Sequence, residues 1–230
     1  MTAAWIEELV APTFREADDT EAEGPRLRRA ALRSFERSLP PHYRDARLES
    51  ATIARRVKLP LPRELPTAKS VVFMGPPGIG KTTLAVALFR ARFERELERT
   101  APTSDVDVTR SVLQFRFVHA HRLAVARING AEGLAELAAS IRARVLLIDD
   151  LGEGATVASN PVRDVIQERH ADERETWLTT NFGPKAIAER YGAGIARRIF
   201  ERATIVRAGA QSTVDPPVAP FHDANQGLRK

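Results

Sequence analysis

A glycine-rich loop that ends in a lysine and two threonines is the first feature of this sequence that could do chemistry. It follows an apolar run at residues 71–74 and opens a segment of helical periodicity. Glycines let backbone N–H groups turn toward phosphate oxygens, and a helix N-terminus favours an anion. Lys81 can reach the β- and γ-phosphates, and Thr82 can ligate Mg²⁺. The pattern predicts a nucleoside triphosphate site that comprises Gly75, Pro76, Pro77, Gly78, Ile79, Gly80, Lys81, Thr82 and Thr83.

Two consecutive carboxylates end a second apolar run. Residues 145–148 read Val-Leu-Leu-Ile and precede Asp149 and Asp150, so the acids would lie at the carboxyl end of a buried parallel strand, where ligands bind. We expect Asp149 to bind Mg²⁺ and Asp150 to orient or deprotonate an attacking water. Alone, such a run is more often a strand followed by a turn. The phosphate loop upstream makes the catalytic interpretation the favoured one.

Other candidate groups have ordinary interpretations. His119 and His121 are predicted on one strand face, but no third metal ligand is evident, and a packed or solvent-facing pair is expected. Phe115 and Phe117 could stack on bases, although their strand spacing favours the core. Four arginines could line a groove for single-stranded DNA or lie on solvated helix faces: Arg122, Arg127, Arg142 and Arg144.

The elements that must position these residues alternate between strand and helix. Strands are predicted at residues 71–74, 112–118, 145–148, 177–180 and 204–207. Helices are predicted at residues 26–39, 81–98, 122–127, 131–142, 184–192 and 195–201, with another that Asn160 or Ser159 caps and that has Pro161 in its first turn. The alternation predicts an α/β fold with a mostly parallel five-stranded sheet covered by helices on both faces.

Composition divides the chain into three parts. Residues 1–65 would hold an acidic arm, up to Gly24, and a short helical extension at residues 26–39 that is basic and amphipathic. Residues 66–209 would form the catalytic core, and residues 210–230 a proline-containing, disordered tail. The basic helix could dock a partner or nucleic acid, but such helices more often pack on the domain behind them.

The overall composition limits the kind of protein this is. The chain has 230 residues, a net charge of +5 and no cysteine, which excludes disulfides, thiolate zinc sites and cysteine nucleophiles. The mild positive charge favours polyanionic partners and is equally typical of an arginine-rich surface. No secretory signal and no membrane-spanning run are evident, so we expect a cytoplasmic protein with no membrane partner.

Together these motifs resemble the AAA+ ATPases of the DnaC/IstB type, a family of replicative helicase loaders and transposition helper ATPases. The matching segments lie in the family's order and spacing over roughly residues 40–207. They are the segment 40–45 (Pro-Pro-His-Tyr-Arg-Asp), the loop 75–82, the strand 146–152, the strand end 179–181 (Thr-Thr-Asn) and the helix 197–199 (Arg-Arg-Ile).

The resemblance implies an AAA+ type P-loop NTPase that binds ATP and Mg²⁺ and hydrolyses ATP. It implies that Asn181 acts as sensor I near the γ-phosphate and that Arg198 is an arginine finger for a neighbouring subunit. Without the family, Asn181 is a strand-end turn residue and Arg198 is a surface cation beside Arg197. A finger that acts in trans implies an ATP-dependent homo-oligomer.

The resemblance also implies a client. The leading hypothesis is a helicase loader in DNA replication, which assembles on single-stranded DNA with a replicative hexameric helicase and docks it through the basic helix. One alternative is a transposition helper that acts on duplex DNA and a transposase. Another is a scaffold that binds nucleotide without hydrolysing it.

The sequence departs from the family pattern at three places. Gly194 stands where the family often has an arginine four residues before the finger. Residues 209–212 have no arginine to serve as sensor II. Asp150 stands where many AAA+ proteins have glutamate, and its shorter side chain predicts slow turnover.

Overall fold

The computed structural model describes residues 23–59, 61, 65–66, 68–152 and 160–207. The helices are α1 Glu23–Ser38, α2 Ala51–Arg56, α3 Lys81–Thr100, α4 Asp105–Leu113, α5 Ala120–Ala124, α6 Gly130–Arg142, α7 Pro161–Ala171, α8 Pro184–Tyr191 and α9 Ala193–Phe200, with a 3₁₀ turn at Pro41–Tyr43. The strands are β1 Ser70–Met74, β2 Phe115–His119, β3 Val145–Leu151, β4 Glu175–Thr180 and β5 Ala203–Arg207. The predicted acidic arm, through residue 22, and the predicted tail lie outside the described residues.

The five strands form one sheet in the order β2-β3-β4-β1-β5, and every neighbouring pair is parallel. The predicted α/β architecture is therefore confirmed. Because all strands run the same way, their carboxyl ends share one edge, where Met74 pairs with Thr180 and His119 pairs with Asp149. The phosphate loop and the paired aspartates follow or end strands at this edge.

Each strand alternates its side chains between two apolar layers, as the period of two in a strand requires. On β1, Val71 and Phe73 pack in the layer with helices α1 to α4. Val72, between them, packs in the opposite layer with α5, α7, α8 and α9. The sheet is therefore buried on both faces, which explains the continuous apolar runs of its central strands.

Helix α1 packs onto the core through the apolar stripe that its spacing predicted. Leu27, Ala31 and Phe35 are buried, and the Phe35 ring stacks on that of Phe93 from α3 at 4.3 Å. The fully buried Arg90 of α3 adds an ion pair, with its Nη1 2.5 Å from Glu36 Oε1. The apolar face of α1 is thus used inside the protein, so only its basic outer face can meet a partner.

One predicted strand is wrong at its start. The sequence predicts a strand over residues 112–118, but in the structure α4 ends at Leu113 and β2 begins at Phe115. The Ser104 side chain caps α4 by accepting a hydrogen bond from Asp107 N at 3.2 Å, and acids in the first turn complement the helix dipole. The alternation of apolar and polar residues from Leu113 to Phe117 predicts a strand, but the capped helix continues through Leu113.

A buried arginine closes the second layer. Arg169 of α7 is fully buried, and its Nη1 donates to the carbonyl oxygens of Ser140, Ile141 and Ala143 at 2.9, 3.1 and 2.6 Å. It thereby satisfies carbonyls at the end of α6, where helices leave acceptors unpaired. Burial lowers the pKa of Arg169 to about 9, so the guanidinium stays charged at neutral pH.

Among the described residues, no helix combines the length and the apolar character that crossing a bilayer requires.

Candidate active site

The phosphate loop joins β1 to α3 in a conformation that needs its glycines. Gly78 and Gly80 have φ angles of +78° and +86°, a region that side chains disfavour. A Cβ on Gly80 would also come within 2.5 Å of the Arg56 carbonyl oxygen at the end of α2. The Ile79 carbonyl accepts a hydrogen bond from Lys58 N at 2.9 Å. The segment after α2 therefore supports the loop from behind.

Lys81, the first residue of α3, is buried beside the loop. Its Nζ donates to the Pro76 carbonyl oxygen at 2.9 Å and to Asn181 Oδ1 at 2.5 Å. Asn181 follows β4, the strand next to β1 in the sheet. The lysine predicted to bind phosphate and the amide predicted to position water are therefore in direct contact.

Thr82 and Asp149, the two residues predicted to bind Mg²⁺, are hydrogen-bonded to each other. Thr82 Oγ1 donates to Asp149 Oδ1 at 2.7 Å, and Thr179 Oγ1 donates to the same oxygen at 2.6 Å. The Asp149 side chain is 1% exposed, and its Oδ2 accepts no hydrogen bond from any described residue. That oxygen faces His119, whose Nδ1 is 3.3 Å away, and a buried carboxylate oxygen without a donor is costly unless a nearby cation satisfies it. A hydroxyl and a carboxylate are hard oxygen ligands, so this pair fits Mg²⁺.

A β-bulge in β3 lies at Asp149 and Asp150 and changes the direction of their side chains. Ile148 pairs with Leu178, but Leu151 pairs with Thr180, so β3 holds one extra residue at the two aspartates. Asp150 has a φ angle of +57°, an uncommon conformation that recurs at functional sites. In a regular strand, neighbouring side chains point to opposite faces. The bulge changes that direction locally, as bulges next to active sites do.

His119 joins this group, although the sequence did not assign it a role. It is the last residue of β2, and its Nδ1 lies 3.3 Å from Asp149 Oδ2. The Asp149 carboxylate raises the pKa of His119 above its ordinary value, while partial burial opposes the shift. The expectation that His119 and His121 lie on the same strand face is wrong, because His121 lies in α5. The sequence contained one indication of a role for His119: it ends a predicted parallel strand, and the ends of such strands lie at the sheet edge that holds the aspartates.

Tyr43 is a second residue near the site that sequence reasoning did not single out. It ends the 3₁₀ turn in the segment that resembles the family's approach to the core, and its side chain lies near Thr82. Burial raises the pKa of Tyr43 above its ordinary value, and the polar Thr82 side chain opposes the shift. The segment before the core therefore reaches the metal-binding side of the candidate site.

Arg198 lies outside this group of contacts. It is on α9, and its Nη1 donates to the Gly194 carbonyl oxygen one helical turn earlier, at 3.0 Å. Its side chain is half-buried. Its role as a finger for a neighbouring subunit stays a prediction.

Comparison with known proteins gives a likeness in fold. No protein-family model and no curated protein matches the chain. The structure of a proposed primosome component from Streptococcus pyogenes serotype M3 superposes with a TM-score of 0.50 at 21% identity, over 80% of this chain and 98% of that one.

Two further structures superpose with lower TM-scores. DnaI has a TM-score of 0.46 at 18% identity, over 87% of this chain and 93% of its own. The DnaC helicase loader has a TM-score of 0.44 at 19% identity, over 86% and 94%. The chain therefore shares the α/β fold of the primosome component over most of its length, which agrees with the fold that the resemblance to the DnaC/IstB type implies.

Proposed function

We propose that this chain is an ATPase of the AAA+ type that acts in DNA replication as a helicase loader. The single observation that best supports ATPase activity is the network of contacts between the phosphate loop and the edge of the sheet. Lys81 contacts Asn181 at 2.5 Å, and Thr82 contacts Asp149 at 2.7 Å. Residues far apart in the sequence thus lie together, and this convergence supports a role in phosphoryl transfer to water.

In the proposed reaction, the residues divide the work by their chemistry. Backbone N–H groups of residues 78–81 bind the phosphates, since Pro76 and Pro77 have no N–H to donate, and the Lys81 ammonium neutralises charge on the β- and γ-phosphates. Thr82 and Asp149 would hold Mg²⁺, which would help to neutralise the charge of the triphosphate. Asp150 accepts the proton of the attacking water, and Asn181 orients that water through its side-chain amide.

Turnover by site variants tests the ATPase directly. Lys81→Ala should lower phosphate release by at least about 100-fold, because it removes the cation nearest the transferred group. Lys185→Ala is the matched control, since Lys185 is exposed on α8 and should leave the rate unchanged. Undiminished turnover of Lys81→Ala in a folded protein would contradict the proposal.

The client is proposed from the family resemblance, and the fold is compatible with it. We expect the chain to assemble on single-stranded DNA, through its arginine-rich surface, with a replicative hexameric helicase. Purified chain should then bind such a helicase, and single-stranded DNA should stimulate ATP hydrolysis more than duplex DNA does. Binding to a transposase instead, with stimulation by duplex DNA, would assign the chain to the transposition helpers.

A further inference from the structure

An imidazole lies beside the paired aspartates at a spacing that suits a shared cation. One potential ligand atom from each of His119, Asp149 and Asp150 lies within 4.8 Å of the other two. Around an octahedral ion with bonds of about 2.1 Å, neighbouring ligands are about 3 Å apart and opposite ligands about 4 Å apart. The upper limit of 4.8 Å exceeds the distance between opposite ligands by less than about 1 Å, so shared binding would need side-chain movements of about that size.

The two oxygens of Asp149 face different partners. Oδ1 accepts hydrogen bonds from Thr82 and Thr179 at 2.7 and 2.6 Å. Oδ2 is buried, accepts no hydrogen bond from the described part of the chain, and lies 3.3 Å from His119 Nδ1. Each oxygen of the Asp149 carboxylate can therefore bind its own cation. The position near His119 is separate from the position near Thr82, where Mg²⁺ is expected.

The ligand types on the His119 side differ from those of an ordinary Mg²⁺ site. Carboxylates suit Mg²⁺ and Mn²⁺ alike, whereas an imidazole nitrogen is a ligand that transition cations prefer. A set of one imidazole and two carboxylates therefore selects a first-row transition cation over Mg²⁺.

We propose that His119, Asp149 and Asp150 form a binding site for a divalent first-row transition cation, next to the Mg²⁺ position of the proposed ATPase. The site needs no nucleotide, because all three ligands come from the ends of β2 and β3. A cation held there competes with the role proposed for Asp150 in activating water.

Direct binding to the full chain without nucleotide tests this proposal. Mn²⁺ is the probe, because its carboxylate chemistry resembles that of Mg²⁺ and its free ion is counted by electron paramagnetic resonance. We expect one bound Mn²⁺ that Mg²⁺ displaces only at about tenfold or greater excess. His119→Ala should weaken Mn²⁺ binding at least about tenfold. His121→Ala is the matched control, since that imidazole lies 6.2 Å from the His119 ring, in α5, and should bind Mn²⁺ like the wild type.

Pulsed electron paramagnetic resonance on the wild type gives a second readout that needs no variant to fold. Bound Mn²⁺ should show coupling to a nitrogen nucleus, which identifies the imidazole as a ligand. The proposal is overturned if this coupling is absent, or if folded His119→Ala binds Mn²⁺ as tightly as the wild type. His119 would then serve only as an ion-pair partner of Asp149. Since neither experiment contains nucleotide, these outcomes are independent of whether the chain hydrolyses ATP.

Discussion

The neighbouring aspartates of β3 have different surroundings, which suit the different tasks proposed for them. Asp149 is buried and accepts hydroxyl hydrogen bonds from Thr82 and Thr179, which hold its carboxylate in place for the cation-binding role proposed for it. Asp150 is partly exposed, and its backbone N donates to Thr179 Oγ1 at 2.9 Å. The left-handed bulge conformation places the Asp150 carboxylate near the same edge, within reach of solvent. A base that takes a proton from water needs such access.

Exchange of Asp150 for asparagine separates binding from hydrolysis. Asp150→Asn removes the proton acceptor and keeps the shape, so turnover should fall by about 10²- to 10⁴-fold while Mg-ATP binding persists. Phosphate release and nucleotide binding are measured on the same preparation. Asp172→Asn, at an exposed acid that pairs with Arg174, is the control and should keep full turnover. Normal hydrolysis by Asp150→Asn would remove Asp150 from its assigned role.

At this scale, the sequence predicted the groups whose spacing is local and missed those that depend on sheet geometry. The loop residues and the two aspartates follow from contiguous motifs. His119 lies 30 residues before Asp149, and their contact arises only because β2 and β3 are paired in register. The bulge at Asp149 and Asp150 likewise depends on the pairing of β3 with β4, which no local pattern in the sequence reveals.

Between the elements, buried charges hold helices to the sheet. Arg169 ties α7 to the end of α6 and to β4, where its Nε donates to Thr176 Oγ1 at 2.9 Å. Glu96 of α3 has a side chain that is 4% exposed. It accepts hydrogen bonds from Arg99 and Arg92 of the same helix, and from Arg144 just before β3. These contacts fix how the helices sit on the strands that carry the site.

Loss of the buried guanidinium should destabilise the second layer. Arg169→Leu leaves several buried carbonyl groups without donors, so the free energy of unfolding should fall by about 3 kcal/mol or more. Chemical denaturation measures this change. Arg163→Leu, at an exposed position of the same helix, should change it by no more than about 0.5 kcal/mol. Equal stability of the two variants would show that the Arg169 contacts contribute little.

The Glu96 cluster predicts an acid-sensitive contribution to stability. Burial alone would raise the pKa of Glu96, but hydrogen bonds from Arg99, Arg144 and Arg92 outweigh it and lower the pKa from 4.5 to about 2. Because the folded pKa lies below the unfolded one, the contribution is fully present above about pH 4.5 and is lost as the pH falls toward 2. Its size is on the order of 3 kcal/mol.

Glu96→Gln should therefore lower stability at pH 7 and flatten the loss between about pH 4.5 and 2, as followed by denaturation at a series of pH values. Glu98→Gln, at an exposed acid of the same helix, is the control and should keep the wild-type profile. An unchanged profile in Glu96→Gln would contradict the assignment.

The sequence predicted elements well where apolar periodicity was strong and poorly where polar groups decided. The buried strands and α3 follow from their apolar patterns. At the end of α4, the helix that Ser104 caps extends into residues whose alternating pattern predicts a strand. Arg169 and Glu96 look like surface charges in the sequence, because their burial depends on carbonyls and arginines that other elements supply.

In the whole molecule, the phosphate loop, the aspartates and Asn181 converge at one edge of the sheet, whereas Arg198 does not join them. Its only hydrogen bond recorded in the described structure is to the Gly194 carbonyl oxygen of its own helix. An arginine finger on α9 would therefore serve a second copy of the chain, which makes turnover depend on assembly.

Mixing of variants tests the finger in trans. Arg198→Ala should lose turnover at concentrations where the wild type assembles, because the charge on the transferred phosphoryl group is no longer neutralised. Addition of Lys81→Ala, which supplies an intact Arg198, should partly restore phosphate release. Arg197→Ala, at the exposed neighbouring position, is the matched control. Absence of rescue in assemblies of normal size would contradict a finger in trans.

The global fold was predictable because strands and helices alternate, which implies parallel pairing and helices on both faces. The order of the strands was not predicted, since it depends on which crossovers pack best. The placement of β1 between β4 and β5 brings the phosphate loop beside Asn181. The contacts that hold α1 on the core, through Phe35 and Arg90, were also not predictable from the sequence.

Calorimetric titration with Mg-ATP tests the central claim most directly, because the loop and the aspartate-bearing strand tip are proposed to bind one triphosphate between them. The wild-type chain should release or absorb heat with one ATP bound per chain, and Lys81→Ala should weaken binding while Lys185→Ala does not. A titration of the folded wild type that shows no binding of Mg-ATP would contradict the account.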